Sequence, residues 1–437
     1  MTSHRKILIV AYPRQGMINP SIRLANRLII MGAEVTFATS IFGIHRVNKE
    51  AIPHGLILAP FSDGHDNGVQ QTTTRQQNFS DFSTNGASAI TEILKSASAE
   101  GHPFDNLVYT IVVPWAAKVA NVNGVKSTLL WCQPATVLDI YYYYFNGYES
   151  LISSNKNNPS YPINLPGLPP LTIADLPSFF LPSSKPNEQD FMLQILKDHI
   201  DVLKISPKVL VNTFDELEFE SIRAIKKLEV LPVGPLIPLD GKGLLDNCIQ
   251  WLNTKPKSSV VYVSFGTLGS FSLDQMEEIA TGLLEIGRPF LWVIRDVEQA
   301  KGLSKIEELE KFGMIVNWCA QVLVLSHQAV GCFLMHGGWN STIEALGAGV
   351  PTVVFPRSSD QGTIGKMFED VWKTGVRVKK REGDEMVEGK EIKRCVELVM
   401  GDGEMKRNAD KWRDLSIEAL KDGGSSAINL NAFLTHA

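Results

Sequence analysis

The chain has 437 residues, of which 44% are hydrophobic and 20% charged, and its formal net charge is −5. These values predict a globular protein with a large core, and they exclude nucleic acid as the expected partner because Lys and Arg are scattered rather than clustered. No apolar run approaches the ~18 residues of a membrane-spanning helix, so we expect no integral membrane contact. No feature of the sequence indicates an oligomer, and a monomer is expected.

The cysteines and the N-terminus predict where the protein works. The five cysteines are odd in number and form no CxxC pair, which favours reduced thiols in the core of an intracellular protein. The first predicted strand begins at Lys6, which leaves no room for a signal or transit peptide. We therefore expect a cytoplasmic protein.

The first half of the chain alternates β-branched runs with helical patterns. After the first strand, Asn19 is predicted to cap a helix that has Pro20 at its first position and ends at Gly32. Proline-rich residues 159–186 are expected to form an ordered, extended loop. The predicted strands are Lys6–Ala11, Val35–Thr39, Leu107–Val113, Ser127–Trp131 and Val209–Asn212.

The same alternation returns after a Pro/Gly-rich stretch at residues 231–243. A helix is predicted over Ser272–Glu285, with Ser272 as its N-cap. The predicted strands here are Ser259–Phe265, Phe290–Ile294, Met314–Val316, Cys332–Met335, Thr352–Phe355 and Val376–Val378.

Strands joined by helices predict an α/β protein with parallel sheets that are covered on both faces. We predict two doubly wound, Rossmann-like domains facing across a cleft. The predicted divisions are a first domain at 1–232, a linker at 233–250, a second domain at 251–415, and a C-terminal helix at 416–437 that packs back on the first domain.

The candidate binding residues concentrate in residues 317–361. After the predicted strand Cys332–Met335, a glycine turn leads into a helix over Asn340–Leu346. The N–H groups of such a helix start, with the helix dipole, favour an anion such as phosphate. His336 and Ser341 can add side-chain donors there.

Other polar residues of this segment stand at the ends of predicted strands and helices. Glu344 can accept hydrogen bonds from ribose hydroxyls, and Asp360 with Gln361 can bind a polyol such as a sugar. Trp318 follows a strand and offers a flat surface for a base. A dinucleotide site is not expected, because "PRQGMINP" has one glycine where three are required.

The segment closely resembles the C-terminal signature of plant family-1 UDP-dependent glycosyltransferases, matching it through "WCAQ", "LSH", "GCFLMHGGWNS", "GVP" and "DQ". The likeness extends over the whole chain, through "SFGTL", "PVGPLIP" and "DVWKTGVRV". In the first half, "PWAAKVA" and "LLWCQPATVLDIYYYYF" resemble most the branch of anthocyanin 5-O-glucosyltransferases and ester-forming glucosyltransferases.

The resemblance implies the GT-B fold, with an acceptor-binding first domain and a second domain that binds a UDP-sugar. It implies a UDP-sugar, with UDP-glucose the first candidate, as co-substrate, a small plant metabolite such as a flavonoid, other phenol or carboxylic acid as acceptor, and neither metal nor permanently bound cofactor. Each implied donor-site residue contacts one part of the UDP-sugar: the uracil, the ribose, the diphosphate or the sugar. These residues are Gly16, Thr267, Trp318, Cys319, Gln321, His336, Trp339, Asn340, Ser341, Glu344, Asp360 and Gln361.

The chain departs from the family pattern at the catalytic base. Met17 stands where the family has a histidine that removes the acceptor's proton, and a thioether cannot accept that proton. Thr110 stands where an aspartate usually orients the histidine. Arg357 and Ser358 also replace the usual residues beside the sugar, which leaves the sugar specificity open.

Three interpretations follow from the missing base. The acceptor can be acidic enough to need little help, or another group can serve as base, with His65 favoured over His45, His54 and His102. Alternatively, the protein binds a UDP-sugar without catalysing transfer. This last case covers a natural paralogue, a repurposed enzyme and a His-to-Met variant made to trap a complex.

Overall fold

The structure, a computed structural model, describes residues 5–47, 52–70, 72–238, 247–266, 271–381 and 384–436. The chain divides into two compact units. Unit 1 contains Met1–Ala174, Phe179–Leu236 and Glu418–Ala437, and unit 2 contains Asp175–Ser178 and Ile237–Ile417. The domain boundaries at 232, 250 and 415 stay predictions, and residues 239–246 of the predicted linker lie outside the described residues.

Unit 1 is built on a seven-stranded sheet in the order β3-β2-β1-β4-β5-β8-β9. All of its paired strands are parallel. The strands of this sheet are β1 Lys6–Val10, β2 Glu34–Ser40, β3 Ile57–Phe61, β4 Asn106–Thr110, β5 Lys126–Trp131, β8 Lys208–Val211 and β9 Glu229–Pro232, and a separate antiparallel hairpin is formed by β6 Pro162–Ile163 and β7 Leu171–Thr172.

Helices join these strands. The hairpin and two short 3₁₀ turns at Ile173–Asp175 and Ser178–Phe180 lie in the segment predicted as an ordered loop. The helices before residue 237 are α1 Gln15–Ile30, α2 Ile41–His45, α3 Arg75–Ala99, α4 Pro114–Val122, α5 Ala135–Tyr143, α6 Glu149–Asn155, α7 Pro186–Leu203 and α8 Phe219–Ala224.

The first helix begins earlier than predicted. Helix α1 starts at Gln15, after Arg14, so Pro20 lies inside it and Asn19 is not its cap. The Arg14 carbonyl accepts hydrogen bonds from the N–H groups of both Met17 and Ile18, which closes the first turn ahead of the proline. The prediction was wrong because it took the preference of proline for the first position as a boundary.

The strand predicted over Leu107–Val113 is shorter than expected. Strand β4 ends at Thr110, because Val112 adopts a φ of 74°, which no extended strand accommodates. The prediction also missed β3, which is partly exposed and contains Pro60, and β9, which ends in the proline-rich stretch taken as a linker.

Unit 2 is built on a six-stranded parallel sheet in the order β12-β11-β10-β13-β14-β15. All six of its strands were predicted, and the mostly apolar residues of β10, β13 and β14 reflect burial on both faces. They are β10 Val260–Ser264, β11 Phe290–Val293, β12 Gly313–Val316, β13 Val330–Met335, β14 Thr352–Val354 and β15 Gly375–Arg377.

The predicted helix after β10 is confirmed. Helix α10 covers Leu273–Ile286, and the Ser272 hydroxyl accepts a hydrogen bond from the N–H of Gln275. The helices after residue 246 are α9 Asn247–Asn253, α10, α11 Val297–Lys301, α12 Ile306–Phe312, α13 Gln321–Leu325, α14 Trp339–Ala348, α15 Gln361–Lys366, α16 Gly389–Gly401, α17 Gly403–Leu420 and α18 Ser425–His436.

Helix α18 lies in unit 1, where it packs against β9. The Ser426 hydroxyl donates to the carbonyl of Gly234, and the Asn429 amide donates to the carbonyl of Pro232 at 3.0 Å. Among the helices that the structure describes, none has the length and apolar character to cross a membrane.

Candidate active site

The predicted anion site lies in unit 2, in the turn between β13 and α14. Gly337 adopts a φ of 85°, and Gly338 precedes the first residue of the ten-residue helix α14. No side chain among the described residues caps this helix start, and the first turn of a helix carries N–H groups that have no partner within the helix. Dipole and donors together favour a negatively charged group at this place.

His336 lies at the centre of that turn, between two glycines. A Cβ on Gly266 would lie 2.7 Å from its Cε1, and a Cβ on Gly338 would overlap its Nε2. Burial, with the nearby charge of Arg357, lowers the pKa of His336 to about 4. The ring is therefore neutral near pH 7. Its Nδ1 has no hydrogen-bond partner within the described parts of the chain.

A hydrogen-bonded network joins the start of α13 to α14. The Gln321 amide nitrogen donates to the Ser341 hydroxyl at 3.0 Å and to the Glu344 carboxylate at 2.8 Å. The Tyr262 hydroxyl donates to the Gln321 amide oxygen at 3.1 Å and lies 3.3 Å from the Cys319 sulfur. We call Tyr262, Gln321, Ser341 and Glu344 the Gln321 network. It orients three predicted donor-site residues together.

Tyr262 was missed by the sequence analysis, because its position on β10 looks like one more apolar core residue. Its ring stacks on Phe333 with centroids 4.7 Å apart, and burial, followed by the influence of Cys319, raises its pKa. The hydroxyl therefore stays protonated and acts as the donor that holds the Gln321 side chain.

The two tryptophans of the segment differ in exposure. Trp318 follows β12 and is 51% exposed, so its indole can serve as a stacking surface. Trp339 is buried and packs against Trp372 with centroids 6.1 Å apart. Its place at the sugar stays a prediction, and its backbone lies at the start of α14.

The predicted sugar-binding pair lies where β14 leads into α15. Asp360 is the residue before α15, and both Asp360 and Gln361 are buried. The Gln361 amide oxygen accepts hydrogen bonds from the N–H groups of Arg357 and Ser358 at 2.8 and 3.1 Å. This bond orients the Gln361 amide nitrogen as the group available to a ligand.

Arg357 packs against an aromatic ring. Its guanidinium carbon lies 4.2 Å above the ring of Phe271, and burial lowers its pKa. Thr267, predicted to contact the diphosphate, lies outside the described residues. Within residues 5–47, 52–70, 72–238, 247–266, 271–381 and 384–436, no three His, Cys, Asp or Glu side chains are grouped to hold a metal ion.

The predicted catalytic positions lie in unit 1, at the carboxyl ends of two neighbouring strands. Met17 is half-buried in the first turn of α1, and a Cβ on Gly16 beside it would meet no atom within 4 Å. Thr110 is fully buried, and its hydroxyl accepts a hydrogen bond from the N–H of Tyr12 at 3.1 Å. Thr110 thus joins the end of β4 to the loop after β1.

His65, in the loop after β3, forms a pair with a carboxylate of helix α3. Its Nε2 lies 3.0 Å from the Asp81 carboxylate, which also accepts a hydrogen bond from the Gln77 amide at 2.6 Å. The other three candidate histidines, His45, His54 and His102, are exposed.

One buried histidine was not identified from the sequence. His199, on α7, is fully buried, and its Nε2 accepts a hydrogen bond from the N–H of Val112 at 2.9 Å. Its ring lies parallel to that of Tyr109, with centroids 5.9 Å apart. A lone histidine carries no local signal for this role, which is to hold the strained turn directly after Thr110.

His199 makes stability depend on pH. Burial lowers its pKa to about 3, whereas the unfolded value is about 6.5. The folded state therefore disfavours the charged form, so this contribution is complete above about pH 6.5 and decreases as the pH falls towards 3. At pH 5 the expected loss is about 2 kcal/mol relative to pH 7.

Unfolding of the wild type and of His199→Gln at pH 7, 6 and 5 checks this expectation. Gln can still accept from the N–H of Val112 but does not titrate, so its stability should fall less than that of the wild type. The exposed His102→Gln is the matched control and should follow the wild type. Parallel pH dependence in wild type and His199→Gln would contradict the assignment.

Comparisons with known proteins agree with these features. The family model of UDP-glucoronosyl and UDP-glucosyl transferases matches residues 199–417. UDP-glycosyltransferase 75C1 of Solanum lycopersicum is 50% identical, over 98% of this chain and 97% of the relative. The chloroplastic crocetin glucosyltransferase of Gardenia jasminoides is 46% identical, over 100% and 98%. The anthocyanidin 3-O-glucoside 5-O-glucosyltransferase of Verbena hybrida is 44% identical, over 99% and 98%.

Solved structures show the same architecture. Os79 from O. sativa, in complex with U2F and trichothecene, has a TM-score of 0.86 and 31% identity, with 98% of this chain and 99% of that chain covered. A UDP-glucosyltransferase from Polygonum tinctorium that glucosylates indoxyl has a TM-score of 0.87 and 25% identity, with 100% and 99% covered. The predicted two-domain α/β fold is therefore confirmed as GT-B, and a UDP-sugar is the co-substrate of this class of enzyme. The chain belongs to the plant family-1 UDP-glycosyltransferases.

Proposed function

We propose that this protein transfers a sugar, with inversion, from a UDP-sugar (UDP-glucose first) to a small plant metabolite whose nucleophile is already ionised near neutral pH. The observation that carries the proposal is Met17, half-buried in the first turn of α1, at the position of the usual base. A carboxylic acid is the preferred acceptor class, and an acidic phenol is the second.

The acidity of the acceptor decides how much a missing base costs. A carboxyl group with a pKa near 4 is almost fully ionised at pH 7, whereas a phenol with a pKa near 10 is ionised to only about 0.1%. The carboxylate oxygen attacks the anomeric carbon, and the bond between that carbon and the diphosphate breaks. UDP leaves with the bonding electrons. No proton has to be removed from the acceptor.

Thr110 supports this interpretation. Its hydroxyl is already bonded to the N–H of Tyr12, and a hydroxyl cannot stabilise an imidazolium as a carboxylate does.

The acceptors of two relatives belong to the proposed classes, because crocetin is a carboxylic acid and an anthocyanidin 3-O-glucoside carries phenolic groups. The printed activities belong to those relatives, and their extension to this chain is part of the proposal.

Unit 2 supplies the groups for the UDP-sugar. We assign Trp318 and the backbone around Cys319 to uracil, and Gln321 with Glu344 to the ribose. The diphosphate is assigned to the first turn of α14, with His336, Asn340 and Ser341, and to Thr267. The sugar is assigned to Asp360, Gln361 and the backbone of Trp339. The helix dipole and the neutral His336 donor then oppose the charge that develops on the leaving group.

A second candidate keeps the same transfer but uses His65 as the base. The pairing of its Nε2 with Asp81 favours it, because a carboxylate partner fixes the ring and leaves Nδ1 to accept a proton. In this case neutral phenols would be good acceptors, and the His65→Ala variant would lose their transfer.

Two acceptors that differ only in a carboxyl against a phenolic hydroxyl test the proposal. With purified protein and UDP-glucose, kcat/KM for the carboxylate should be constant between about pH 6 and 8. For the phenol it should rise about tenfold per pH unit below the phenol's pKa, because the phenolate reacts. His65→Ala should change neither profile.

Three outcomes would contradict this assignment. A flat profile with fast transfer to the phenol would show that a base is present. Loss of transfer in His65→Ala would identify that base. Binding of UDP-glucose without transfer to any acid or phenol would instead support the alternative of a non-catalytic UDP-sugar-binding protein.

A further inference from the structure

Four residues from the first half of the chain belong to unit 2. They are Asp175–Ser178, and the residues on either side of them, Ala174 and Phe179, belong to unit 1. We call this segment the 175–178 clamp. Its polar contacts lie at the loop and helix that carry Asp360 and Gln361.

Ser178 is bonded to the residue directly before Asp360. The Ser178 N–H donates to the Ser359 carbonyl at 2.8 Å, and the Ser359 N–H donates to the Ser178 hydroxyl at 2.7 Å. Ser359 adopts a φ of 59°, a left-handed conformation that disfavours residues other than glycine. The pair of hydrogen bonds therefore stabilises a backbone state that serine would not otherwise prefer.

Asp175 is bonded to α15 and to the strand beside it. The Thr363 hydroxyl donates to the Asp175 carbonyl at 2.7 Å, and the Arg377 guanidinium donates to its carboxylate at 2.7 Å. Lys366 lies 3.9 Å from the same carboxylate. The Asp175 side chain is buried whereas that of Arg377 is partly exposed, so the carboxylate is held within the fold and orients the guanidinium.

Two residues that the clamp contacts lie on either side of the predicted sugar-binding residues in the sequence. Ser359 comes immediately before Asp360, and Thr363 follows Gln361 by two residues. We propose that Ser178 and Asp175 are positioning residues, which set the orientation of Asp360 and Gln361 and thereby the discrimination between donor sugars. The inference rests on the proposed assignment of Asp360 and Gln361 to the sugar.

Ligand binding separates this role from a general structural one. Calorimetry on Ser178→Ala measures the dissociation constants of UDP, UDP-glucose and UDP-galactose. UDP-galactose differs from UDP-glucose in the orientation of one hydroxyl group. We expect the preference between the two sugars to shrink about fivefold, as for the loss of one hydrogen bond. The affinity for UDP should stay within twofold, because uracil, ribose and diphosphate do not depend on Asp360 and Gln361.

Three variants complete the test. Ser178→Thr retains the hydroxyl and should restore the preference, whereas Asp175→Asn should reduce it as Ser178→Ala does. Ser183→Ala, in an exposed part of the same loop region, is the control and should match the wild type. An unchanged sugar preference in both Ser178→Ala and Asp175→Asn, or a parallel loss of UDP affinity, would overturn the inference.

Because the test measures binding of UDP-sugars, it separates the proposed role of the clamp from the proposed transfer activity. If the wild type binds UDP-glucose without transferring it, the proposed transfer fails while the sugar preference of the variants still tests the clamp. If the wild type transfers glucose and the variants keep its sugar preference, only the clamp fails.

Discussion

Replacing Met17 with histidine is expected to raise transfer to neutral phenols and alcohols by about 10²- to 10⁴-fold, the usual contribution of a general base. Transfer to a carboxylate should change only a few-fold, since no proton has to be removed from it. The new imidazole would lie in the first turn of helix α1, because the backbone there is already formed: the N–H of Met17 donates to the Arg14 carbonyl at 2.9 Å. The measurement is kcat/KM for the matched acid and phenol.

Met17→Leu is the matched control, because leucine has a similar volume and no basic atom. It should leave both acceptors near the wild-type rate. A gain for the phenol in Met17→Leu as large as in Met17→His would show that shape rather than proton transfer limits the wild type.

The double variant Met17→His/Thr110→Asp extends this test to the orienting residue. Thr110 is fully buried, so a carboxylate there is expected to be tolerated only while it accepts from the N–H of Tyr12 and pairs with the new imidazole. We expect a further gain for phenols over Met17→His and a loss of stability in Thr110→Asp alone.

Replacing His336 with alanine is expected to lower kcat by about 10²- to 10³-fold, as for the loss of one preorganised donor to a developing negative charge. The side chain is buried between Gly266 and Gly338, and its pKa of about 4 keeps it neutral. We therefore expect it to act as an N–H donor to the leaving diphosphate without itself titrating near pH 7. Transfer to the best acceptor is measured across pH.

His327→Ala provides the comparison for His336. His327 is only partly buried, and its ring is bonded to Asn253 at 3.0 Å, away from the predicted diphosphate site. Its removal should leave kcat within about twofold. If His336→Ala kept the wild-type kcat and merely lost stability, the assignment of His336 to the diphosphate would be wrong.

The sequence predicted the strands and helices whose apolar pattern or capping residue agrees with their burial in the folded protein. Strands β10, β13 and β14 are apolar runs buried on both faces, and α10 has a serine cap that the structure shows bonded to the Gln275 N–H. Strand β3 lacked that signal, because it is partly exposed and contains a proline. Helix α1 was shortened in the prediction because one strong local preference, at Pro20, was given too much weight.

The missed residues of the candidate site share another property: their partners lie far away in sequence. Tyr262 is 59 residues from Gln321, His199 is 87 from Val112, and Ser178 is 181 from Ser359. Neither periodicity nor residue type indicates such pairings. The donor-site residues at 318–361 could be proposed because they lie close together in sequence and match a family signature.

The composition of unit 1 has a consequence for the order in which the protein is made. Helix α18 contributes to unit 1, although residues 237–417 of unit 2 are translated before it. A chain emerging from the ribosome therefore completes all of unit 2 while β9 still lacks the helix that covers it. The bonds from Ser426 and Asn429 to the carbonyls at 232–234 can therefore form only after the residues of unit 2 have been synthesised. Until then, β9 lacks the helix that packs against it and the carbonyls of Pro232 and Gly234 lack these donors.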